Sequence, residues 1–320
     1  MKKKLLSLGL ILIFIFALTG CKNKEDNNDK DSDRLRVGVT ISPLKYFAEE
    51  IGKDKVDVFS IIPDGSDAHT FDPKPKDLNE LINSDIFIYN GLGMEEWIDS
   101  VLTTVDSEKV KIVEATNGIN PITINEEDHE HEEIEDDHDH EEESHDHEHS
   151  HGGLDPHTWL SLSDAIIEAE NIKDALVEVD PENKTYYEEN FEGLKKSLSD
   201  LKSEYEDKFK ELSNKNFVTG HAAFAYLCRD FGLNQESIAD VYGEGELTAK
   251  SLENLVNYCK ENNVEVVFSE STASEKEAET LAKEVNAEVV KIYSLETSED
   301  NMNYLDGMKY NLETIYNSLK

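Results

Sequence analysis

Short apolar runs rich in β-branched residues alternate along this chain with segments whose apolar residues recur every three or four positions. The short runs predict buried strands at Leu35–Ile41, Val56–Ile62, Ile86–Tyr89, Val110–Glu114, Phe217–Thr219, Ser237–Val241, Val264–Ser269 and Glu288–Tyr293. The periodic segments predict helices near Leu44–Gly52, Lys76–Asn83, Met94–Val105, Ala222–Phe231, Thr248–Asn262, Ser274–Val285 and Asn303–Leu319. Because strand–helix alternation is typical of parallel sheets, we expect two similar α/β lobes.

One longer periodic segment separates the two halves. After Pro181 a single apolar stripe keeps spacings of three and four through Tyr187, Phe191, Leu194, Leu198, Leu201, Tyr205, Phe209 and Leu212. A helix of about 30 residues at 1.5 Å each is a rod of roughly 45 Å. Pro181 suits its first position, and Asp180 can cap it. We interpret residues 181–212 as a stiff link between lobes at 34–180 and 213–320, with a coiled-coil arm as the alternative.

The first 20 residues have the layout of an export signal. Three lysines precede the apolar run Leu5–Leu18, which is shorter than the roughly 20 residues of a membrane-spanning helix. Cys21 follows a Leu-Thr-Gly triplet that resembles the bacterial lipobox, so we expect cleavage before Cys21 and its lipidation. The alternative is an ordinary signal peptide with an incidental cysteine. Residues 21–33 are nearly all polar and predict a disordered tether, which would hold the protein at the extracytoplasmic face of the cell membrane.

Charge and histidine content change this picture toward metal handling. The net charge of −40 excludes nucleic acid as a partner and favours cations. Eight of the 11 histidines lie with 15 carboxylates in the loop 126–151, at His129, His131, His138, His140, His145, His147, His149 and His151. Such a composition is typical of auxiliary metal binding, and we expect a zinc-gathering loop. An inert solvated loop is the alternative.

The three remaining histidines each follow a predicted strand or the acidic run. His69 lies in a loop after the second strand, His157 lies in DPHTWL after the acidic run, and His221 follows VTG at the start of a predicted helix. Ligands gather at the carboxyl ends of parallel strands, so we expect the three imidazoles to meet there. A closed zinc site needs four ligands, and two carboxylates that follow strands, Glu270 and Glu296, are candidates for the fourth.

The cysteines outside the signal do not suggest a metal site. Cys228 and Cys259 are far apart in the sequence, whereas a thiolate zinc site needs clustered cysteines. One disulfide between them is possible in an exported protein. We expect buried free thiols instead.

Residues 34–320 resemble the metal solute-binding lipoproteins of bacterial ABC transporters, in the zinc/manganese cluster of the ZnuA, AdcA and TroA type. The matching segments are IIPDGSDAHTFDPKPKD, SDIFIYNGLGMEEW, LDPHTWLSL, VTGHAAFAYLCRDFGL, VEVVFSES and MKYNLETI. The resemblance implies two (β/α)4 lobes joined by a rigid helix, with metal in the cleft at His69, His157, His221 and Glu296. Relatives that carry manganese have Glu in place of His221 and Asp in place of Glu296. Zinc is therefore expected here, and imidazole ligands agree with it.

The expected function is that of a receptor, not an enzyme. The resemblance implies a protein that captures Zn²⁺ outside the membrane and delivers it to an ABC permease for import. A receptor for manganese or another divalent metal is one alternative, and a surface adhesin is another, as a second role. A zinc enzyme is disfavoured because three histidines with an open water position would be its mark, whereas a carboxylate is expected here.

Overall fold

Two four-stranded sheets form the framework of the computed structural model, which describes residues 34–124, 153–245, 247–271 and 273–320. The first sheet has the order β2-β1-β3-β4 and the second the order β6-β5-β7-β8, and every pairing within them is parallel. The strands are β1 (Leu35–Val39), β2 (Val56–Ser60), β3 (Ile86–Tyr89), β4 (Lys111–Glu114), β5 (Asn216–His221), β6 (Asn234–Ala239), β7 (Val266–Ser269) and β8 (Glu288–Lys291). The prediction of two similar α/β lobes is confirmed.

Helices connect these strands. They are α1 (Ser42–Gly52), α2 (Pro75–Ile82), α3 (Ile98–Leu102), α4 (Leu162–Val179), α5 (Lys184–Lys210), α6 (Ala225–Phe231), α7 (Ala249–Glu261), α8 (Glu275–Val285) and α9 (Tyr304–Leu319). The sequence interpretation missed α4, although Ser161 begins it as a capping residue. The Ser161 hydroxyl accepts a hydrogen bond from the Asp164 amide at 3.1 Å, and a Ser-x-x-Asp pattern before an apolar run signals a helix start.

The long helix α5 forms where it was predicted. Its apolar stripe is buried from Tyr187 to Phe209 and packs against α1, α4 and α9 of the same chain. The coiled-coil alternative is therefore wrong. The predicted cap is also wrong, because residues 181–183 form a 3₁₀ turn before the helix. The Asp180 carboxylate accepts hydrogen bonds from Asn183 and the Tyr187 hydroxyl and leaves the backbone amides uncapped.

Both sheets belong to one compact unit, residues 35–320, and one hydrophobic core cluster contains residues from β1, α5, β5 and α9. Lobe limits at residues 180 and 213 therefore stay a prediction. No helix in the described part of the chain is long and apolar enough to cross a membrane. Cys228 and Cys259 are buried and unbridged, as expected.

Two predicted boundaries near functional loops are wrong. The helix predicted from Met94 begins only at Ile98, because the buried Glu95 carboxylate accepts hydrogen bonds from the Asn90 and Gly91 amides and holds that segment as a turn. His221 does not start a helix. It is the last residue of β5, where it pairs in register with Ala239 of β6.

Candidate metal centre

His69 is presented by the loop that follows β2. The Asp67 carboxylate accepts a hydrogen bond from the His69 amide at 2.9 Å and so fixes the turn that carries the imidazole. Tyr242, from the loop after β6, packs its ring edge-on against His69 with the centroids 5.7 Å apart. His69 is only partly buried, so it is the ligand candidate nearest to solvent.

His157 is completely buried and tightly oriented. Its Nδ1 lies 2.9 Å from Asp155 Oδ1, and the same oxygen accepts a hydrogen bond from the His157 amide. The Asn90 amide donates to the Pro156 carbonyl at 2.9 Å, and the Tyr226 hydroxyl donates to the Asp155 carbonyl at 2.7 Å. A carboxylate on Nδ1 leaves Nε2 as the free ligand atom, which is the usual arrangement of metal-binding histidines.

His221 and Glu296 come from the second sheet. The His221 carbonyl accepts hydrogen bonds from the Thr219 hydroxyl and the Gln235 amide, which hold the end of β5. Glu296 lies in the loop after β8 and is 1% exposed, yet neither of its carboxylate oxygens has a hydrogen-bond partner. A buried carboxylate without a partner is costly unless a cation neutralises it.

These four side chains converge. One ligand atom from each of His69, His157, His221 and Glu296 lies within 4.8 Å of the others. The Nε2 atoms of His69 and His157 are 3.3 Å apart, and Glu296 Oε1 lies 3.7 Å and 3.6 Å from the Nε2 atoms of His157 and His221. Ligands about 2.0–2.1 Å from a tetrahedral zinc ion lie about 3.3–3.4 Å apart. Three of the spacings are therefore close to those of a tetrahedral zinc site, and wider ones, up to 4.8 Å, would shorten when the ion binds.

Glu270 lies on the other side of His221. Its Oε2 is 3.9 Å from His221 Nδ1, whereas His221 Nε2 faces Glu296. Glu270 is 2% exposed, and both of its oxygens also lack a hydrogen-bond partner. Gly220 makes room for it, since a Cβ at that position would sit 2.3 Å from Glu270 Oε2. Glu270 thus lies on the Nδ1 side of His221, beyond hydrogen-bond distance, while Glu296 faces the Nε2 atoms of His157 and His221.

The pKa values of the candidate ligands are shifted in different directions. Burial, together with the neighbouring His157, lowers the pKa of His69 to about 4. Burial also disfavours a charged His221, but the Glu270 and Glu296 carboxylates outweigh it and raise the pKa of His221 to about 10. Burial alone would raise the pKa of Glu296, yet the His157 and His221 imidazoles hold it well below its usual range. Without metal, the centre holds an ionised carboxylate beside a protonated imidazole.

Sequence reasoning missed the residues that orient the candidate ligands. Asp155 and Trp159 belong to the same short segment as His157, DPHTWL, so their closeness in the sequence could have indicated a role next to that ligand. Asn90 and Tyr242 come from distant loops, and their role follows only from the fold. The eight loop histidines and Cys21 lie outside the described residues.

The comparisons with known proteins agree with this geometry. A model of the family "ZnuA: Zinc-uptake complex component A periplasmic" matches residues 37–318. The chain belongs to the ZnuA family. A putative metal-binding protein of Treponema pallidum is 38% identical over 94% of this chain and 92% of its own length. The high-affinity zinc uptake system protein ZnuA of Bacillus subtilis is 37% identical over 100% and 99%. The resemblance to the zinc branch is confirmed.

Solved structures share the ZnuA-family fold. The Zn(II)-bound ZnuA-like domain of Streptococcus pneumoniae AdcA has a TM-score of 0.72 and 28% identity, covering 89% of this chain and 99% of that domain. A laminin-binding protein of Streptococcus agalactiae, described as bifunctional with adhesin and metal-transporting activity, has a TM-score of 0.76 and 29% identity, covering 90% and 100%. The two-lobed fold with its long helix is therefore that of this family.

Proposed function

We propose that this protein is an extracytoplasmic receptor that captures Zn²⁺ and delivers it to an ABC permease for import. The observation that carries the proposal is the convergence of three imidazoles and one buried carboxylate that has no hydrogen-bond partner, at spacings near those of tetrahedral zinc. In this proposal His69, His157, His221 and Glu296 are the ligands, and Zn²⁺ is the cargo. Membership in the zinc-uptake family supports it.

The ligand set favours zinc over harder cations. Imidazole nitrogen suits zinc, copper and nickel, whereas manganese and magnesium prefer sites built from carboxylates and water. A fourth protein ligand also leaves a tetrahedral ion without an open position for a reacting water, which argues for binding and release, not hydrolysis. We therefore place the protein among receptors and not among zinc enzymes.

Metal competition tests this proposal. Calorimetry on the metal-free mature chain should show one tight zinc site, and the same titration repeated with manganese, nickel and copper should rank the metals. We expect zinc to displace manganese from this site. If manganese bound more tightly than zinc, the site would belong to a receptor of another metal.

We propose that a lipid on Cys21 anchors the protein through its amino terminus. Acylation of Cys21 would tie the receptor to the membrane through residues 21–33, and the family description as periplasmic supports only the extracytoplasmic location. Cys21→Ala should release the protein into the soluble fraction of fractionated cells. Cys228→Ala is the matched control, because that thiol is buried in the folded chain. Membrane retention of the Cys21 variant without acyl chains would contradict lipid anchoring.

The loop 126–151 is proposed as an auxiliary zinc-gathering segment. Its eight histidines supply ligands and its 15 carboxylates raise the local concentration of cations. Its polar composition predicts disorder without metal, so binding would cost conformational entropy and its sites should be weaker than the metal centre.

A second role as an adhesin is supported by one observation, the likeness to a bifunctional laminin-binding protein. The test is binding of the mature chain to immobilised laminin, with the zinc-free and zinc-loaded forms compared. Absence of saturable binding by both forms would leave transport as the only role.

A further inference from the structure

The segment Ser294–Glu296, which carries the candidate carboxylate ligand, is held from both halves of the molecule. Within its own half, Asn311 of α9 pairs with the backbone just before the segment. The Asn311 side chain accepts from the Tyr293 amide at 3.0 Å and donates to the Tyr293 carbonyl at 2.7 Å. This side chain is fully buried, so the bonds are shielded from water.

The other anchors come from residues that precede α5. The Trp159 indole donates to the Ser294 carbonyl at 2.7 Å, and the Ser42 amide at the start of α1 donates to the Glu296 carbonyl at 2.8 Å. The amide of a first helical residue has no partner inside its own helix, so it is available for this contact. Trp159 lies two residues after His157, and the two rings are 5.2 Å apart. Trp159 therefore contacts both the segment that carries Glu296 and His157, a candidate ligand from the other half of the chain.

Between the two anchored carbonyls the backbone is strained. Leu295 has φ +64°, in the left-handed region that side chains with a Cβ disfavour. Gly307 of α9 makes this conformation possible, because a Cβ there would sit 2.4 Å from Leu295 Cδ2. Such strain persists only where the surroundings enforce it, and it is concentrated at functional sites.

We infer that Trp159 and Ser42 are positioning residues for the metal-binding carboxylate of Glu296. Their hydrogen bonds hold Leu295 in the left-handed conformation that directs Glu296 toward the three imidazoles. A ligand fixed before binding loses less conformational entropy when metal arrives. The inference rests on the proposed zinc site and adds to it the two donors that organise its fourth ligand.

Two variants remove the donors in different ways. Trp159→Phe removes the indole N–H and keeps an aromatic ring. Ser42→Pro replaces the amide hydrogen with the ring Cδ, which cannot donate and presses against the Glu296 carbonyl, although proline itself is tolerated at a first helical position. The matched controls are Trp97→Phe, whose indole N–H has no hydrogen-bond partner in the described structure, and Ser42→Ala, which keeps the amide.

The measurement is a double-mutant cycle on the mature chain, with zinc affinity from chelator competition and zinc release after a chelator pulse. Trp159→Phe should weaken tight zinc binding about three- to tenfold, the range of one lost hydrogen bond. Ser42→Pro should weaken it at least as much, because the ring also displaces the Glu296 carbonyl. In the Glu296→Ala background both effects should disappear, since there is no carboxylate left to position. The controls should match the parent in either background.

The cobalt-loaded protein supplies a second readout. The visible absorption of bound Co²⁺ reports ligand geometry, so it should change in the two donor variants and stay unchanged in the two controls. If the donor variants lost as much zinc affinity without Glu296 as with it, the inference would be overturned. The donors would then act on the fold as a whole or on His157, and not on Glu296. Unchanged affinity in both donor variants would also overturn it. Loss of the proposed function looks different, since the unmodified chain would then show no tight zinc site.

Discussion

Single side chains in the metal centre differ sharply in how strongly they hold a proton. His69 is partly buried near other imidazoles and has a pKa lowered to about 4, so it is neutral and ready to bind metal. His221 lies between two carboxylates that raise its pKa to about 10, although burial acts in the opposite direction. Metal must therefore displace a proton from His221, whereas it can bind His69 without displacing one.

Substitution of the candidate ligands should rank them. His69→Ala, His157→Ala and His221→Ala should each weaken zinc binding at least tenfold, about 1.4 kcal/mol or more. Glu296→Ala should cost less, because water can occupy one position of a tetrahedron. Glu270→Ala should cost less still, since its carboxylate faces the far nitrogen of His221. Chelator competition measures each variant. If Glu270→Ala is more damaging than Glu296→Ala, the ligand assignment is wrong.

Zinc binding should release protons at neutral pH. Below about pH 10 His221 is protonated in the metal-free protein, and a metal ligand must be deprotonated. Affinity should therefore fall as pH decreases, and His69 adds competition only near its own pKa of about 4. Calorimetry at one pH in buffers of different ionisation enthalpy measures the released protons. Buffer-independent enthalpy, or a flat affinity from about pH 7.5 to 5.5, would contradict histidine ligation.

At the scale of elements, α5 joins the core of both halves through one apolar face. Its 27 residues form a rod of about 40 Å at 1.5 Å per residue. Leu198 at its middle is 0% exposed, whereas Lys196 on the opposite face pairs with Asp200 in solvent. The helix is therefore stabilised by packing, and its polar face contributes little.

Leu198→Ala should lower the free energy of unfolding by about 2–5 kcal/mol, the cost of removing buried methyl groups and leaving a cavity. Zinc affinity of the folded protein should change little, because Leu198 is not among the groups of the metal centre. Urea unfolding of the metal-free chain measures the loss. Lys196→Ala is the control and should stay within about 0.5 kcal/mol of the parent. Equal losses in both variants would contradict the role of the apolar face.

In the whole molecule, residues from both sheets meet at one metal centre. The residues that flank the loop 126–151 are paired with each other shortly before His157. Thr123 and Leu154 form an antiparallel bridge, and the Ile124 amide donates to the Gly153 carbonyl at 3.0 Å. His157 follows three residues after this bridge. The two described ends of the loop are thus joined to each other close to His157 in the chain.

Deletion of residues 126–150 should leave the fold and the tight zinc site intact. The bridge already joins the two ends, and loop length adds little closure entropy, about 0.6 kcal/mol per doubling. Weaker zinc sites should disappear from the titration. At low ionic strength the deletion variant should capture dilute zinc more slowly than the parent. In high salt, where attraction by the carboxylates is screened, the two rates should become similar. Loss of the tight site would mean that the loop supplies a primary ligand.

Periodicity placed most strands and helices because each has its own apolar face. Boundaries failed where a distant contact overrides local preference. Glu95 holds residues that would otherwise extend α3, and the ladder with β6 keeps His221 in a strand. The start of α4 has a local signal, the Ser161 cap with Asp164 three residues later.

The residue pattern predicts two parallel α/β lobes, the linking helix and three isolated histidines as candidate ligands. The residues alone left Glu270 and Glu296 equivalent, and the resemblance to the family was needed to prefer Glu296. Only the tertiary structure separated the two carboxylates, with one facing the Nε2 atoms of two imidazoles and the other the Nδ1 atom of His221. It also brought Trp159 and Ser42 to the segment that carries Glu296. Periodicity records which face of an element is buried, whereas which side of an imidazole meets a carboxylate depends on how loops from separate strands come together in the fold.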